Sequence, residues 1–575
     1  MQISISDVHS MLLQGERKLT DFYARILEDI KKYPSVFISE SPAEKVMASA
    51  EEAQAVFDSA GRIPEGKPLL GIPWVVKDNI DVAGMTTTAG CPEYAYFPNE
   101  SAEVYRLLEE AGAILIGKTN MDQFATGLVG VRSPYGIPEN SCNGDYIPGG
   151  SSSGSAVAVA RGLCCFSLGT DTAGSGRVPA AMNGIFGYKP TRGLFSTRGV
   201  VPACRSLDCV SVFVSRSEDL PVIYEVLSKP DREDPFSRPI QCDGKSRNTG
   251  NTIAVPISGQ LDFMDSPESE SIWNGLLEQF RNCGYTVRKI DFRPFLDAAK
   301  LLYEGPWIAE RYAYLGEFVR THKGAVNEIT AGILENGGQY SASDYFSALW
   351  TLQEYRKRIE SLMEANDFFV TPTIPRAVTL EEVKNEPVLK NTQLGYYTNF
   401  MNLLDLCAVA VPFGEYKNRV PWGYTVFADR FADTKLFDFV GRSNDEKKAY
   451  VPIAVCGAHM SGLPLNHQLI SIGGRFLNEE ATAPHYKMYS LNGEVEKPGL
   501  VRTREGVSFP LEIWNIPETE LFGFMRQIPA PLGLGEVELI NGSWITGFIC
   551  GMENAGEDIS SYGGWRSYLE CASAT

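Results

Sequence analysis

Three serines in succession, Ser151, Ser152 and Ser153, stand between Gly149–Gly150 and Gly154 in the stretch YIPGGSSSGSAVAVARG. Flexible Gly/Ser linkers do not run into an apolar Ala/Val segment. Loops that cradle phosphate carry a Lys-Ser/Thr pair, and none follows here. The cluster therefore raises the chemistry of an activated hydroxyl, which needs a base. Of the five histidines, only His9 and His322 precede residue 450, and neither is flanked by an acid that suggests a triad. A lysine serves instead when burial lowers its pKa enough to leave a neutral amine. Lys77 ends an apolar strand in WVVKDNID, next to Val75 and Val76. A lone lysine at a strand end is ordinarily a surface residue whose stem covers apolar ground, so its company matters. Downstream, LGTDTAGSGRVPAAMNG empties a strand into a Gly-rich turn, and a helix begins near Pro179. The amides of Thr172, Ala173, Gly174 and Ser175 would converge at that turn, as an oxyanion hole requires.

The elements that position these groups follow from periodicity. Residues 1–60 read as helices, LLQGERKLTDFYARILEDIKKY and SPAEKVMASAEEAQAVFDSAG. From about residue 69 short apolar strands (PLLGIPWVVKDNID, AILIGKTNM, CCFSLGTDT) alternate with helices (SAEVYRLLEEAG, SAVAVARGL), the pattern of an α/β core with a largely buried sheet. Residues 230–250 are polar and rich in Pro and Gly, and read as a surface loop. Strands at TIAVPIS and GYTVRKIDF, helices over about 295–365 and a strand at DFFVTPTIP complete a first domain, 1–445. A composition shift at GRSNDEKKAY opens a smaller, β-rich domain, 446–575, with strand-like segments YVPIAVCGAHM, HYKMYSL, GFMRQIPAPLGLGEVEL and SWITGFICG.

The chain resembles the amidase signature enzymes. Their strand-end lysine followed by Asp and Asn, their Gly-Gly-Ser-Ser-Gly-Gly-like loop and their Thr-Asp-x-Gly-Gly-Ser-x-Arg turn read here as KDN (77–79), GGSSSGS (149–155) and TDTAGSGR (170–177), over roughly residues 15–440. Ser153 stands where a glycine is common, and Ala173 replaces a glycine in the turn while still supplying its N–H. The resemblance implies a mixed β-sheet core surrounded by helices. It makes Ser175 the nucleophile, Ser151 the bridging serine held by a cis peptide from Gly150, and neutral Lys77 the base that draws a proton through Ser151 from Ser175. It implies that Asp171 and Arg177 pair to hold the turn, and that Ser152 and Ser155 orient Lys77 and the loop.

The substrate must come from other residues. In LLYEGPWIAERYAYLGEF, Tyr303 and Arg311 lie eight positions apart with Trp307 between them, which on one helix is two turns and nearly one face. Arginine presents a fork of donors suited to a carboxylate. This segment, with GAHMSGLPLNHQL and ISSYGGWRSYLE of the small domain, resembles the allophanate hydrolases, the amidase part of urea amidolyases. Their substrate is a small urea-carboxylate, for which an arginine clamp makes chemical sense. In such enzymes Gly127, in NMDQFATGLVG, lines the pocket. Their small domain resembles the γ-glutamylcyclotransferase fold, an α+β arrangement, and removes CO2 from the N-carboxycarbamate that the amidase domain leaves. His459, His467 and His485 fall in this domain, and His459, in the turn after a strand, is best placed for a site residue.

Composition narrows the alternatives. A formal charge of −19 and the absence of a basic run argue against nucleic acid, and against a glutamine-type amidase serving aminoacylated tRNA, which would want a basic face. The N-terminus has no basic head before an apolar core, and the apolar runs are too short to span a bilayer, so the expectation is a cytoplasmic protein without a membrane partner. Twelve cysteines are scattered with no C-x-x-C pair, the usage of buried thiols in a reducing compartment, and no metal or cofactor site is expected. The resemblance implies partnership, as a fusion or a separate chain, with a biotin-dependent urea carboxylase, and it leaves room for a homodimer. A competing reading makes the chain an amidase of another small carboxylated amide, malonamate-like, with a small domain that only docks or dimerises.

Overall fold

Lys77 and the turn that holds Ser175 leave the same sheet from neighbouring strands. In the computed structural model, which describes residues 2–15, 17–240, 251–445, 450–491, 496–526, 528–551 and 556–573, the chain divides into two compact units, Met1–Gly441 and Arg442–Thr575. Among the described residues the first unit carries β1 (Phe37–Glu40), β2 (Pro73–Lys77), β3 (Ile114–Thr119), β4 (Phe166–Asp171), β5 (Phe186–Lys189), β6 (Cys209–Val214), β7 (Thr252–Pro256), β8 (Thr286–Ile290), β9 (Phe368–Pro372), β10 (Cys407–Glu415) and β11 (Pro421–Ala428). They form one mixed sheet in the order β1-β3-β2-β4-β6-β5-β10-β11-β9-β7-β8. β2 is parallel to both β3 and β4, with Trp74 opposite Phe166 and Val76 opposite Leu168. On its other side β4 runs antiparallel to β6.

Every residue of β2, β3 and β4 is buried. Side chains on both faces are buried, so these strands read as continuous apolar runs rather than as alternating ones. The helix Ser153–Ala160 (SGSAVAVA) is buried along seven of its eight residues, which explains an Ala/Val composition with no polar face. Trp74 stacks on Phe166 with ring centroids 5.7 Å apart, tying the lysine strand to the strand that feeds the nucleophile turn.

Two expectations about elements of this unit change. The first N-terminal helical segment is two helices, Ile5–Leu13 and Leu19–Asp29, because Gly15 takes a left-handed φ of +65° and ends the first. Between the helical stretches lies β1, four residues on the edge of the sheet, antiparallel to β3. Within residues 230–240 the loop is anchored: Asp234 is buried and accepts hydrogen bonds from Thr197 N and Ser196 Oγ, and residues 241–250 lie outside the described residues.

The second unit carries β12 (Tyr450–Val455), β13 (Arg475–Ala481), β14 (Tyr486–Leu491), β15 (Lys497–Arg502), β16 (Pro510–Pro517), β17 (Leu532–Glu538), β18 (Trp544–Cys550) and β19 (Glu557–Asp558). They form a five-stranded sheet, β13-β16-β12-β18-β17, and a three-stranded one, β15-β14-β19. The segment GFMRQIPAPLGLGEVEL is split: its first residues close the helix Glu518–Met525, and only Leu532–Glu538 is strand. No helix of the described residues is long and apolar enough to cross a membrane.

Candidate active site

β2 delivers Lys77 into the interior, where its side chain has no solvent exposure. Its Nζ donates to Ser151 Oγ at 2.8 Å and to Thr170 Oγ1 at 2.8 Å. Burial pushes its pKa from the ordinary lysine range down to about 7, against the opposing charges of Asp122, Asp208 and Asp171. Two hydroxyls in place of a carboxylate partner leave the amine able to be neutral.

The Gly150–Ser151 peptide is cis, and Ser151 Oγ donates to Ser175 Oγ at 2.9 Å. Amine and hydroxyls therefore form one continuous line, Lys77–Ser151–Ser175. The loop is held from the side by Asp122, whose N–H donates to Ser151 O at 3.1 Å. Gly150 has to be glycine because a Cβ there would lie 2.2 Å from Asp122 Oδ2 and 2.5 Å from Gly130 N. Neither Ser152 nor Ser155 is among the hydrogen-bond partners of Lys77 in the described residues. Ser152 Oγ meets Thr170 O and N at 3.3 and 3.4 Å, and Ser155 Oγ bonds Thr119 Oγ1 and Leu168 O at 2.7 and 3.0 Å. Thr170 orients the lysine, and Ser152 acts one step back, on the backbone of Thr170.

β4 ends at Asp171, and the chain turns through residues 172–176 into the helix Val178–Asn183, with Pro179 in its first turn. Asp171 and Arg177, both fully buried, form a bidentate pair at 2.9 Å on each arm. Against the burial that would raise it, the Arg177 guanidinium holds the Asp171 carboxyl below its ordinary range. Asp171 also captures two turn amides, Gly176 N at 2.9 Å and Gly174 N at 3.0 Å. Gly174 therefore leaves the expected set of oxyanion donors: its N–H points at the Asp171 carboxylate. The amides of Thr172, Ala173 and Ser175 have no such acceptor among the described residues. The turn is fastened further by Thr172 Oγ1, which donates to Asp208, and by Asn402 Nδ2, which donates to Asp171 O at 2.7 Å. Burial pushes the Asp208 carboxyl up to about 6.

Tyr303 and Arg311 come together by a different route from the one their spacing suggests. One helix, Arg293–Tyr303, ends at the tyrosine, and the next, Trp307–Thr321, starts after Glu304–Gly305–Pro306. Proline lacks the N–H that a continuous helix would need, so the segment breaks there. Across the break the Arg311 guanidinium lies 5.5 Å from the centre of the Tyr303 ring. Arg311 is buried; its Nη1 donates to Thr126 Oγ1 at 3.0 Å, and its Nη2 has no hydrogen-bond partner among the described residues. Gly127, adjacent to Thr126, has its carbonyl oxygen 3.5 Å from Ser175 Oγ. The arrangement can bind an anion at Arg311 while presenting an acyl carbon to Ser175.

Sequence reasoning missed Thr170, Thr126, Asp122 and Asn402. The first two are threonines at a strand end and in a loop, ordinary in both places, and only their neighbours reveal them. His322 is exposed, bonded to Thr321 Oγ1 at 3.0 Å and stacked on Phe318.

In the second unit His459 follows β12 in a small pocket that is also lined by Gln468, Lys497, Leu465, Phe524 and Phe548. Its Nε2 lies 2.9 Å from Gln468 Oε1, and its ring stacks on Phe548 with centroids 5.0 Å apart. Burial, with the positive charge of Lys497, lowers its pKa. His467 and His485 are exposed; His467 Nδ1 bonds Pro464 O at 2.8 Å. Among the described residues no group of three or more His, Cys, Asp or Glu side chains is arranged to hold a metal ion.

Residues 27–437 match the family described as Amidase, and residues 451–570 the family described as Allophanate hydrolase C-terminal domain. The chain is 41% identical over 549 residues to urea amidolyase of Saccharomyces cerevisiae, covering 88% of this chain and 30% of that protein. It thus spans less than a third of the length of that relative. It is 33% identical over 469 residues to a glutamyl-tRNA(Gln) amidotransferase subunit of Symbiobacterium thermophilum, covering 76% of this chain and 94% of that one. Among solved structures, allophanate hydrolase of Kluyveromyces lactis superposes with a TM-score of 0.71 at 37% identity, covering 99% of both chains.

Proposed function

The chain belongs to the amidase family, and from that premise we propose that it is an allophanate hydrolase whose first unit releases one ammonia and whose second unit removes CO2. The observation that carries the reading is the unbroken Lys77–Ser151–Ser175 line beside a buried Arg311 with one unpartnered nitrogen.

With Lys77 neutral, the hydroxyl protons turn toward it, Ser151 donating to Nζ and Ser175 to Ser151. Allophanate is a urea whose second nitrogen carries a carboxylate. Ser175 Oγ attacks its carbamoyl carbon, and the hydroxyl proton passes through Ser151 to Lys77. The developing oxyanion takes the amides of Thr172, Ala173 and Ser175. The relay runs backward, protonating the leaving amino nitrogen so that ammonia departs. Water, deprotonated by the same line, then splits the Ser175 ester and frees N-carboxycarbamate. Arg311 holds the carboxylate, Tyr303 sets the arginine's plane, and Gly127 closes the wall beside the nucleophile. Asp171 and Arg177 keep the turn rigid and do no chemistry.

In the second unit, which the sequence divides from the first at about 445/446, His459 gives a proton to the nitrogen between the two carboxylates of N-carboxycarbamate. One C–N bond breaks as the proton arrives, leaving CO2 and carbamate. Gln468 orients the imidazole. The match to a protein called urea amidolyase supports a working partnership with a biotin-dependent urea carboxylase that makes the substrate.

Ammonia release from allophanate, malonamate, biuret and glutamine tests the reading. Allophanate should be turned over fastest and malonamate next. A preference for glutamine would replace it with an amidotransferase-type activity.

A further inference from the structure

Two consecutive residues touch the two ends of the site. Thr126 Oγ1 accepts from Arg311 Nη1 at 3.0 Å, and Gly127 O lies 3.5 Å from Ser175 Oγ. Successive Cα atoms are a fixed distance of about 3.8 Å apart, so the separation between the arginine and the nucleophile is set by one peptide unit and two hydrogen bonds. That unit is pinned from several sides. Arg132 Nη1 donates to Thr126 O at 3.2 Å, Thr126 N to Gln123 O at 3.0 Å, and Leu128 N to Asn391 Oδ1 at 2.8 Å. Thr126 Oγ1 in turn donates to Phe124 O at 3.2 Å, which fixes its lone pairs toward Arg311. The backbone around it is held in an uncommon conformation, with φ of +52° at both Phe124 and Ala125 and +147° at Gly127. A Cβ at Gly127 would sit 2.8 Å from Asp122 Oδ2. Such conformations persist only where the surroundings over-determine them.

We infer that Thr126 is a specificity-determining positioning residue: with Gly127 it forms a gauge that fixes how far an anionic group may lie from the carbonyl that Ser175 attacks. The unpartnered Nη2 of buried Arg311 marks the anion's end of the gauge. The class of ligand it admits is a primary amide with a carboxylate one atom removed from the amide carbon, as in a urea-carboxylate or malonamate. Succinamate, one methylene longer, overruns it. The inference rests on the reading of Arg311 as carboxylate anchor.

The experiment compares kcat/KM for malonamate and succinamate in the wild type, Thr126→Val, which keeps the volume and removes the oxygen, and Thr126→Ser, which keeps the hydroxyl. In Thr126→Val the malonamate-over-succinamate ratio should fall about tenfold or more, the scale of discrimination that one buried hydrogen bond supplies, with most of the change in KM for malonamate. Thr126→Ser should hold the ratio within about twofold of wild type. An unchanged ratio in Thr126→Val, or an equal fall in Thr126→Ser, overturns the gauge. Arg311→Ala, assayed on malonamate and on neutral propionamide, separates the two ideas. Equal losses on both amides overturn the anchor reading itself, whereas a selective loss on malonamate leaves the Thr126 result to decide the gauge alone.

Discussion

Thr170 Oγ1 and Ser151 Oγ accept hydrogen bonds from Lys77 Nζ at the same 2.8 Å, so the base is held between a positioning hydroxyl and a reacting one. Thr170 is the penultimate residue of the strand next to the one that ends in Lys77, and its backbone is itself held by Ser152. A base fixed on both sides keeps its lone pair aimed at Ser151 once the proton has left.

This sets the pH dependence. The neutral amine is the working form, so acyl-enzyme formation should rise with pH and reach half its plateau near the lysine's pKa of about 7. Thr170→Val removes an acceptor that favours the ammonium. Its acidic limb should move to lower pH while the plateau falls. A limb that stays in place would mean that Thr170 does not influence the base.

Lys77→Ala, Ser151→Ala and Ser175→Ala should each lower kcat by at least about 10³-fold, and the doubles should be little worse than the singles, because all three interrupt one relay. Ser175→Ala should still bind substrate, as calorimetry would show. Near-normal turnover in Lys77→Ala would remove the lysine from the mechanism.

Arg311→Ala should cost about 2–5 kcal/mol on allophanate, the loss expected when a buried charge-assisted pair loses one member. Uncharged amides should suffer far less, and Arg311→Lys should rescue poorly, since an ammonium lacks the fork. Tyr303→Phe in the same assay separates the tyrosine hydroxyl from its ring, which is what faces the guanidinium.

Arg177→Ala should destabilise the fold by about 3–5 kcal/mol, because it leaves the Asp171 carboxylate buried without its partner. With the Asp171 pKa depressed in the folded state, the pair's contribution is full above about pH 4 and is lost as pH falls through the lower folded value. Urea unfolding of wild type and variant at pH 7 and at pH 3 should show the gap narrowing in acid.

His459→Ala should release the first ammonia at the wild-type rate while the second lags, since carbamate forms only after CO2 is lost. His467→Ala, whose side chain is exposed, should be milder. Parallel time courses of ammonia and CO2 make the comparison. If His459→Ala yields both ammonias on time, the cavity around it does not decarboxylate.

Which residues are legible in the sequence follows from how marked their surroundings are. Lys77, Ser151 and Ser175 sit in strand ends and glycine-rich turns whose composition is unusual for any purely structural purpose. Thr170 opens the TDTAGSGR turn and Thr126 lies in NMDQFATGLVG, but a threonine is ordinary at a strand end or in a loop, and the role of each arises from partners 93 and 185 positions away. The Gly174 amide misleads because the sequence shows that a turn is there, but not which way each N–H points once Asp171 competes for it. For Tyr303 and Arg311 helical spacing suggests a pair that is in fact formed across a break, and Gly305–Pro306 is the visible signal of that break. β1 escapes notice because four residues on a sheet edge are too few for periodicity to speak.

The register of β2 against β4 has a thermal consequence. Base and nucleophile turn leave adjacent parallel strands, so their spacing inherits the interstrand repeat of about 4.8 Å, among the least adjustable lengths in a protein. Warming cannot loosen that distance gradually; it changes only when the ladder itself parts. Heat inactivation of the first ammonia-releasing step should therefore coincide with cooperative melting of the large sheet rather than precede it, and the enzyme should keep its full intrinsic rate to the edge of unfolding.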